Sequence, residues 1–153
     1  MKLQRDLREF VESLSSSGVE FLVVGGHAVA FHGHPRYIGD IDFLVRPTKE
    51  NAERVLDAIS RFGLPQLTLS AEDFTRPVSV VQLGRPPNRI DLLTEISGVD
   101  FATAWAGRET ADLDGCSVFI LGRKELLLNK RASGRPKDLA DIDALEKVAN
   151  AKG

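Results

Sequence analysis

Residues 20–45 of the chain, EFLVVGGHAVAFHGHPRYIGDIDFLV, set the tightest limit on its fold. An apolar run ends in Gly25-Gly26, a segment with small Ala28 and Ala30 follows, and a second apolar run opens as DIDFLV. Short apolar runs bounded by glycine read as buried strands, and the segment between them, residues 26–32, reads as a closely packed helix. Side chains of a strand alternate between its faces. Asp40 and Asp42 therefore share one face, while Ile41, Phe43 and Val45 share the other. The prediction is a strand with one core face and one acidic face.

The rest of the pattern extends this unit. Leu3, Leu7, Phe10, Val11 and Leu14 recur at helical spacing, predicting an amphipathic helix over 3–15. Pro47 and Thr48 open another helix with Ala52, Val55, Leu56, Ile59 and Phe62 on its inner face, and Gly63 stands at a C-cap position. VSVVQLG (78–84) and RIDLLT (89–94) read as strands joined by RPPN. Phe101 to Ala106 suggests a short helix, and ETADLDGCSVFIL a hairpin about Asp114-Gly115. Two helices follow over 123–132 and 136–150, with Pro136 suited to a first turn. The expected fold class is α/β (α+β): one domain, 1–153, with a mixed sheet flanked by helices and two C-terminal helices.

Composition excludes several function classes. Net charge is -2, so any phosphate-binding charge must be local rather than global. Cys116, the only cysteine, has no internal disulfide partner, which suits a cytoplasmic setting. MKLQRDLREFVESL lacks the apolar stretch of a signal peptide, and no run reaches the ~18 apolar residues of a membrane span.

Two carboxylates on one strand face, ~6–7 Å apart by strand rise, repel each other unless something positive sits between them. A divalent cation does this well, and magnesium characteristically takes one or two carboxylates plus substrate phosphates. Asp91, between Ile90 and Leu92, is a third acid on an apolar strand. If its strand neighbours that of Asp40, three carboxylates converge, enough to hold two metals in phosphoryl transfer. The alternative is acids that end strands and face water. Gly25 and Gly26 allow a ligand to approach the backbone at a strand-to-helix turn, or serve only to bend the chain there.

VVGGHAVAFHGHPRYIGDIDFLV, with IDLL further on, resembles the nucleotidyltransferase superfamily that shares the DNA polymerase β-like catalytic core. That pattern is strand, Gly-Gly or Gly-Ser, helix, Asp-x-Asp or Asp-x-Glu on the next strand, and a third acid on a later strand. GG-A, an arginine, DIDFLV and NKRASGRPKDLADIDAL look closer still to AbiEii-type and related small bacterial nucleotidyltransferases, many of which act as toxins or in phage defence. One departure is Ile38, where relatives often carry threonine.

The resemblance implies NMP transfer from an NTP with two magnesium or manganese ions. Asp40 and Asp42 would hold both metals, and Asp91 would hold the catalytic one and help deprotonate the acceptor. Gly25 and Gly26 would cradle the β- and γ-phosphates.

Lys130 falls on the same helix face as Leu126 and Leu127, an unusual place for a lysine, and reads as a phosphate-binding ammonium or as a cation favoured by the helix C-terminus. Arg36 is a second candidate phosphate contact. Arg131, Arg135 and Lys137 lie nearby, and Asp138 is placed to pair with Lys130 or Arg36. His27, just after the glycines, is a candidate phosphate hydrogen-bond donor. His32 suits a structural hydrogen bond, and the histidine spacing does not make a zinc site.

The acceptor stays open between tRNA or other RNA, a protein hydroxyl and a small molecule. An antitoxin or a second copy of the chain could supply missing surface, and no membrane partner is expected. Two other readings remain: a nucleotide-binding module without catalysis, and a metal-dependent phosphohydrolase, which usually has clustered histidine–aspartate ligands.

Overall fold

The structure, a computed structural model, describes residues 5–34, 40–63, 68–85 and 89–152, with side chains through 148. In chain order the elements are α1 (Arg5–Ser16), β1 (Phe21–Val24), α2 (Gly25–Phe31), β2 (Ile41–Val45), α3 (Lys49–Phe62), a 3-10 turn (Ala71–Phe74), β3 (Val80–Leu83), β4 (Ile90–Leu93), α4 (Phe101–Ala106), β5 (Glu109–Leu113), β6 (Cys116–Ile120), α5 (Arg123–Ser133) and α6 (Pro136–Lys152). The six strands form one mixed sheet in the order β3-β4-β2-β1-β6-β5. The mixed α/β architecture is the one the sequence pattern predicts.

The alternation along β2 decides how the layers assemble. Phe43 packs against Phe21 of β1 (5.5 Å between centroids) and Phe10 of α1 (6.2 Å), and Phe10 meets Phe62 of α3 edge-on (5.2 Å). Leu7, Phe10, Val11 and Leu14 of α1 and Ala52, Val55 and Ile59 of α3 are buried at their predicted positions. This side of the sheet is core. The opposite face carries Asp42 and Asp91, and the cavity over it is walled by α5.

Fully buried Asn51 joins the strand ends on the core side: its amide accepts from Glu20 N–H (2.8 Å) and donates to the Glu20 and Arg46 carbonyls (3.0 Å each). Gly63 caps α3, and Asp114-Gly115 turns the β5–β6 hairpin with φ of 52° and 90°, as that dipeptide favours.

β3 is shorter than the predicted 78–84. Val78 turns at φ 52°, and side chains replace the ladder there: Glu95 Oε2 accepts from Val78 N–H (3.1 Å) and Thr94 Oγ1 from Ser79 N–H (2.9 Å). Among the described residues no helix is long and apolar enough to cross a membrane. Pro35, Arg36, Ile38 and most of the RPPN connection lie outside the described residues.

Candidate active site

The chain brings the three predicted acids together by strand pairing. β2 and β4 are adjacent and parallel, with Asp42 directly opposite Asp91. In-register partners project to the same face, so the two carboxylates meet across one strand spacing. Asp40 lies one residue before β2 and joins them through Arg89. The Arg89 guanidinium pairs with Asp40 Oδ2 (3.0 Å) and bidentately with Asp91, Nε to Oδ1 at 3.0 Å and Nη2 to Oδ2 at 3.2 Å. Arg89 and Asp91 share a strand face by the same alternation that unites Asp40 and Asp42. An arginine two residues before the third acid is the one local sign of this bridge, and the motif pattern does not assign Arg89 to the site.

Burial and the neighbouring carboxylates dominate the chemistry of Asp42. Desolvation first, then a hydrogen bond and repulsion from Asp91 and repulsion from Asp40, push its carboxyl up to about 7 despite Arg89. Asp40 Oδ1 is buried without a hydrogen-bond partner.

Among the described residues no three histidine, cysteine, aspartate or glutamate side chains already stand in a metal-holding arrangement. At the acids, Arg89 takes both Asp91 oxygens and one of Asp40's. The donor set nonetheless suits a hard divalent cation. All its ligand atoms are carboxylate oxygens, one is unpaired, and the cluster retains an acid that neutralises itself by holding a proton. Replacing Arg89 by glutamine is expected to lower the melting temperature in EDTA and enlarge the rise produced by manganese. Equal manganese shifts in both proteins would contradict competition between Arg89 and a metal for the acids.

Gly25 lies directly beneath Asp42. It takes φ +67°, and a Cβ there would collide with Asp42 Oδ2 and stand 3.0 Å from its Cγ. Glycine is required twice over, by backbone conformation and by the carboxylate's position. Gly25→Ala is expected to cost about 1 kcal/mol of stability through backbone strain. It should also slow nucleotidyl transfer about tenfold or more by moving Asp42. Chemical denaturation and pyrophosphate release read the two effects separately, and unchanged turnover would show that Asp42 need not sit where it does.

A cavity of about 430 Å³ opens beside the acids, lined by Val24, Gly25, Asp42, Leu93, the loop Glu95–Ser97, and Asn129, Lys130, Ser133 and Arg135 from α5 and the turn after it. Lys130 is on the predicted inner face, with 5% exposure, but its ammonium is held by Asp138 Oδ1 (3.2 Å) and Asp141 Oδ2 (3.1 Å). The expected Asp138 pairing is present. Arg135, which also binds Asp138 (2.7 Å), is far more exposed and lines the cavity as well. Burial works against the Asp138 charge, but hydrogen bonds from Arg135 and Lys130 prevail and hold its carboxyl down at about 2.

His27 is buried and does not line this cavity. Its Nδ1 has no hydrogen-bond partner, and burial pushes the imidazole pKa down. His32 serves structure: its Nε2–H donates to the Leu121 carbonyl (2.8 Å), tying the end of α2 to the end of β6. His34 lies beside Asp141 (3.9 Å). Gly26 follows Gly25 in the first turn of α2. Arg36 lies outside the described residues.

A family model described as a nucleotidyl transferase of unknown function (DUF2204) matches residues 3–153. No curated protein matches the chain. Among solved structures, a Thermotoga maritima protein described as a candidate nucleotidyltransferase aligns with TM-score 0.59 and 17% identity, over 96% of this chain and 92% of that one. The lincosamide antibiotic adenylyltransferase LnuA, solved with lincomycin bound, aligns with TM-score 0.59 and 14% identity, over 94% and 96%. An antigenic nucleotidyltransferase-like protein from Paracoccidioides brasiliensis aligns with TM-score 0.55 and 16% identity, over 94% and 75%. At these identities the likeness is one of fold.

Proposed function

Because the chain belongs to the nucleotidyl transferase family whose model spans residues 3–153, we propose that it transfers a nucleoside monophosphate from an NTP to a hydroxyl acceptor and releases pyrophosphate. The observation that carries this reading is the register placing Asp42 opposite Asp91, with Asp40 joined to them through Arg89. Magnesium or manganese, held by Asp40, Asp42 and Asp91, would neutralise the triphosphate and polarise the reacting phosphoryl group.

The chain's own groups supply the rest. The Asp42–Asp91 pair, opposite each other across the strands, can hold the proton leaving the acceptor hydroxyl. Arg135 offers charge to the leaving pyrophosphate, with Arg36 as a second contact from its place four residues before Asp40. Lys130, committed to two aspartates, fixes the wall from which Arg135 projects. Backbone N–H groups at Gly25 and Gly26 would cradle the phosphates. Catalysis rests on positioning and electrostatics, because transfer needs no covalent protein intermediate.

The test is incubation with each α-labelled NTP, magnesium and a cell extract, followed by separation of RNA, protein and small molecules. Label should enter one fraction with wild-type protein and none with Asp42→Ala. Equal labelling by both proteins would remove the acids from the reaction. A toxin or phage-defence role, and kinship with the AbiEii type, rest on the sequence resemblance and gain support only if the labelled fraction is RNA or protein.

A second reading, a nucleotide-binding module without catalysis, draws on the Arg89 bridge across the acids. It predicts that NTP raises the melting temperature while no acceptor yields pyrophosphate.

A further inference from the structure

A second cavity, of about 340 Å³, adjoins the first and shares Glu95 and Ile96 with it. Leu44, two residues beyond Asp42 on the same face of β2, lies in its floor. We propose that this cavity is the acceptor subsite, and that it takes a small molecule with an apolar body, a protonated amine and the hydroxyl that receives the nucleotide. The proposal rests on the nucleotidyl-transfer reading above.

The two cavities differ in charge. Arg135 and Lys130 line the first, beside Asp42 and the shared Glu95, so it holds charges of both signs. Leu44, Pro77, Val99 and Phe101 line the second, its charged lining side chains are Glu95 and Asp100, and among the described residues no lysine, arginine or histidine lines it, the Arg46 guanidinium over the Phe101 ring (4.5 Å) being paired with Glu20. A triphosphate is repelled from such a pocket, whereas an ammonium on an apolar frame matches it.

Both carboxylates are exposed and fixed in place: Glu95 Oε2 accepts from Val78 N–H (3.1 Å) and Asp100 Oδ1 from Thr103 N–H (2.7 Å). The hydrogen bonds to Thr103 also hold the Asp100 carboxyl below its ordinary range, so it is charged at neutral pH.

The wall between the cavities is fixed too. Asn129 Nδ2 donates to the Ser97 carbonyl (2.9 Å), and Gly98 packs so closely on α5 that a Cβ would lie 2.6 Å from Ala132 Cβ. A cavity of this volume with fixed walls falls in the range of small-molecule sites.

In the reaction, the acceptor hydroxyl oxygen bonds to the α-phosphorus and the P–O bond to the β-phosphate breaks. Pyrophosphate leaves with the electron pair, and the hydroxyl proton passes to the Asp42–Asp91 pair.

The test titrates the full chain with a phenyl-substituted dimethylamino alcohol and with its neutral isostere, in which carbon replaces nitrogen. Each titration is run with and without ATP and magnesium. Wild type should prefer the amine by about fivefold or more, and the preference should fall towards unity in the Glu95→Gln/Asp100→Asn double variant. Both replacements keep the structural acceptors: glutamine retains an oxygen for Val78 N–H, and asparagine caps α4 as aspartate does.

ATP should leave amine binding intact or tighten it. Equal affinities, binding of neither probe, or displacement of the amine by ATP would each overturn the proposal, the last by giving the cavity to the nucleobase. Amine preference without pyrophosphate release from any acceptor would instead sink the transfer reading, and the acceptor role with it, leaving a cation-binding cavity.

Discussion

Asp42→Asn should abolish measurable nucleotidyl transfer while making the metal-free protein more stable at alkaline pH. The loss of rate is expected to be about 10³-fold, the scale on which a preorganised electrostatic group contributes to a transition state. The gain in stability follows from linkage.

The Asp42 carboxyl is raised from 3.8 to about 7, chiefly by burial and then by Asp91 and Asp40. An acid with a raised folded pKa binds its proton more tightly in the folded state, so its ionisation costs stability. The cost is absent below the unfolded value, grows as pH rises towards 7, and is complete above it. Asparagine never ionises. In EDTA the variant should therefore melt roughly 3–6 °C above wild type near pH 8, with the difference vanishing near pH 4. Saturating manganese should reverse the order, because the variant lacks one anionic ligand. Scanning calorimetry across pH reads this directly. A pH-independent difference would mean that Asp42 is not held protonated by its neighbours.

Lys130→Met carries the largest expected change in stability. The ammonium is buried between Asp138 and Asp141. Removing it takes the buried ammonium from both carboxylates, leaving Arg135 against Asp138 and His34 beside Asp141, and breaking a buried pair from one side costs about 3–5 kcal/mol.

The acid limb carries a second signature. Asp138 is held at about 2 against an ordinary 3.8. Its contribution is therefore complete above about pH 4 and disappears as pH falls towards 2. Without Lys130 the carboxyl should titrate higher, and acid unfolding should begin at higher pH. Adding Asp141→Asn should restore part of the loss by removing one of the two carboxylate charges that Lys130 balances. If the single variant were as stable as wild type, Lys130 would owe its buried position to something other than the two aspartates.

Much of this was legible from residue spacing. The period of two through DIDFLV separated Ile41 and Phe43 from Asp40 and Asp42, and the structure buries the first pair while Asp42 reaches the cavity. Helical spacing found the core residues of α1 and α3, and Lys130 on an apolar face signalled a buried cation.

Other features were out of reach because they depend on partners distant in sequence. Nothing local says that Arg89 turns towards Asp40, that Lys130 is tied to two aspartates where it lines the cavity beside the more exposed Arg135, or that His27 is buried outside the cavity lining. Glu95 and Thr94 shorten β3 by competing for its backbone, which strand propensity does not register.

The sequence by itself determined which residues are apolar, acidic or conformationally free, and so the strand–glycine–helix–strand unit with acids on one face. Periodicity is a property of the backbone, and one chain segment suffices to express it. Only the tertiary structure decided that β4 lies beside β2 in parallel register, bringing Asp91 to Asp42, and that a cavity of mixed charge and an acidic one adjoin over that face. Strand neighbours and cavity walls are chosen by the packing of the whole core, a sum over contacts that no single stretch of residues contains.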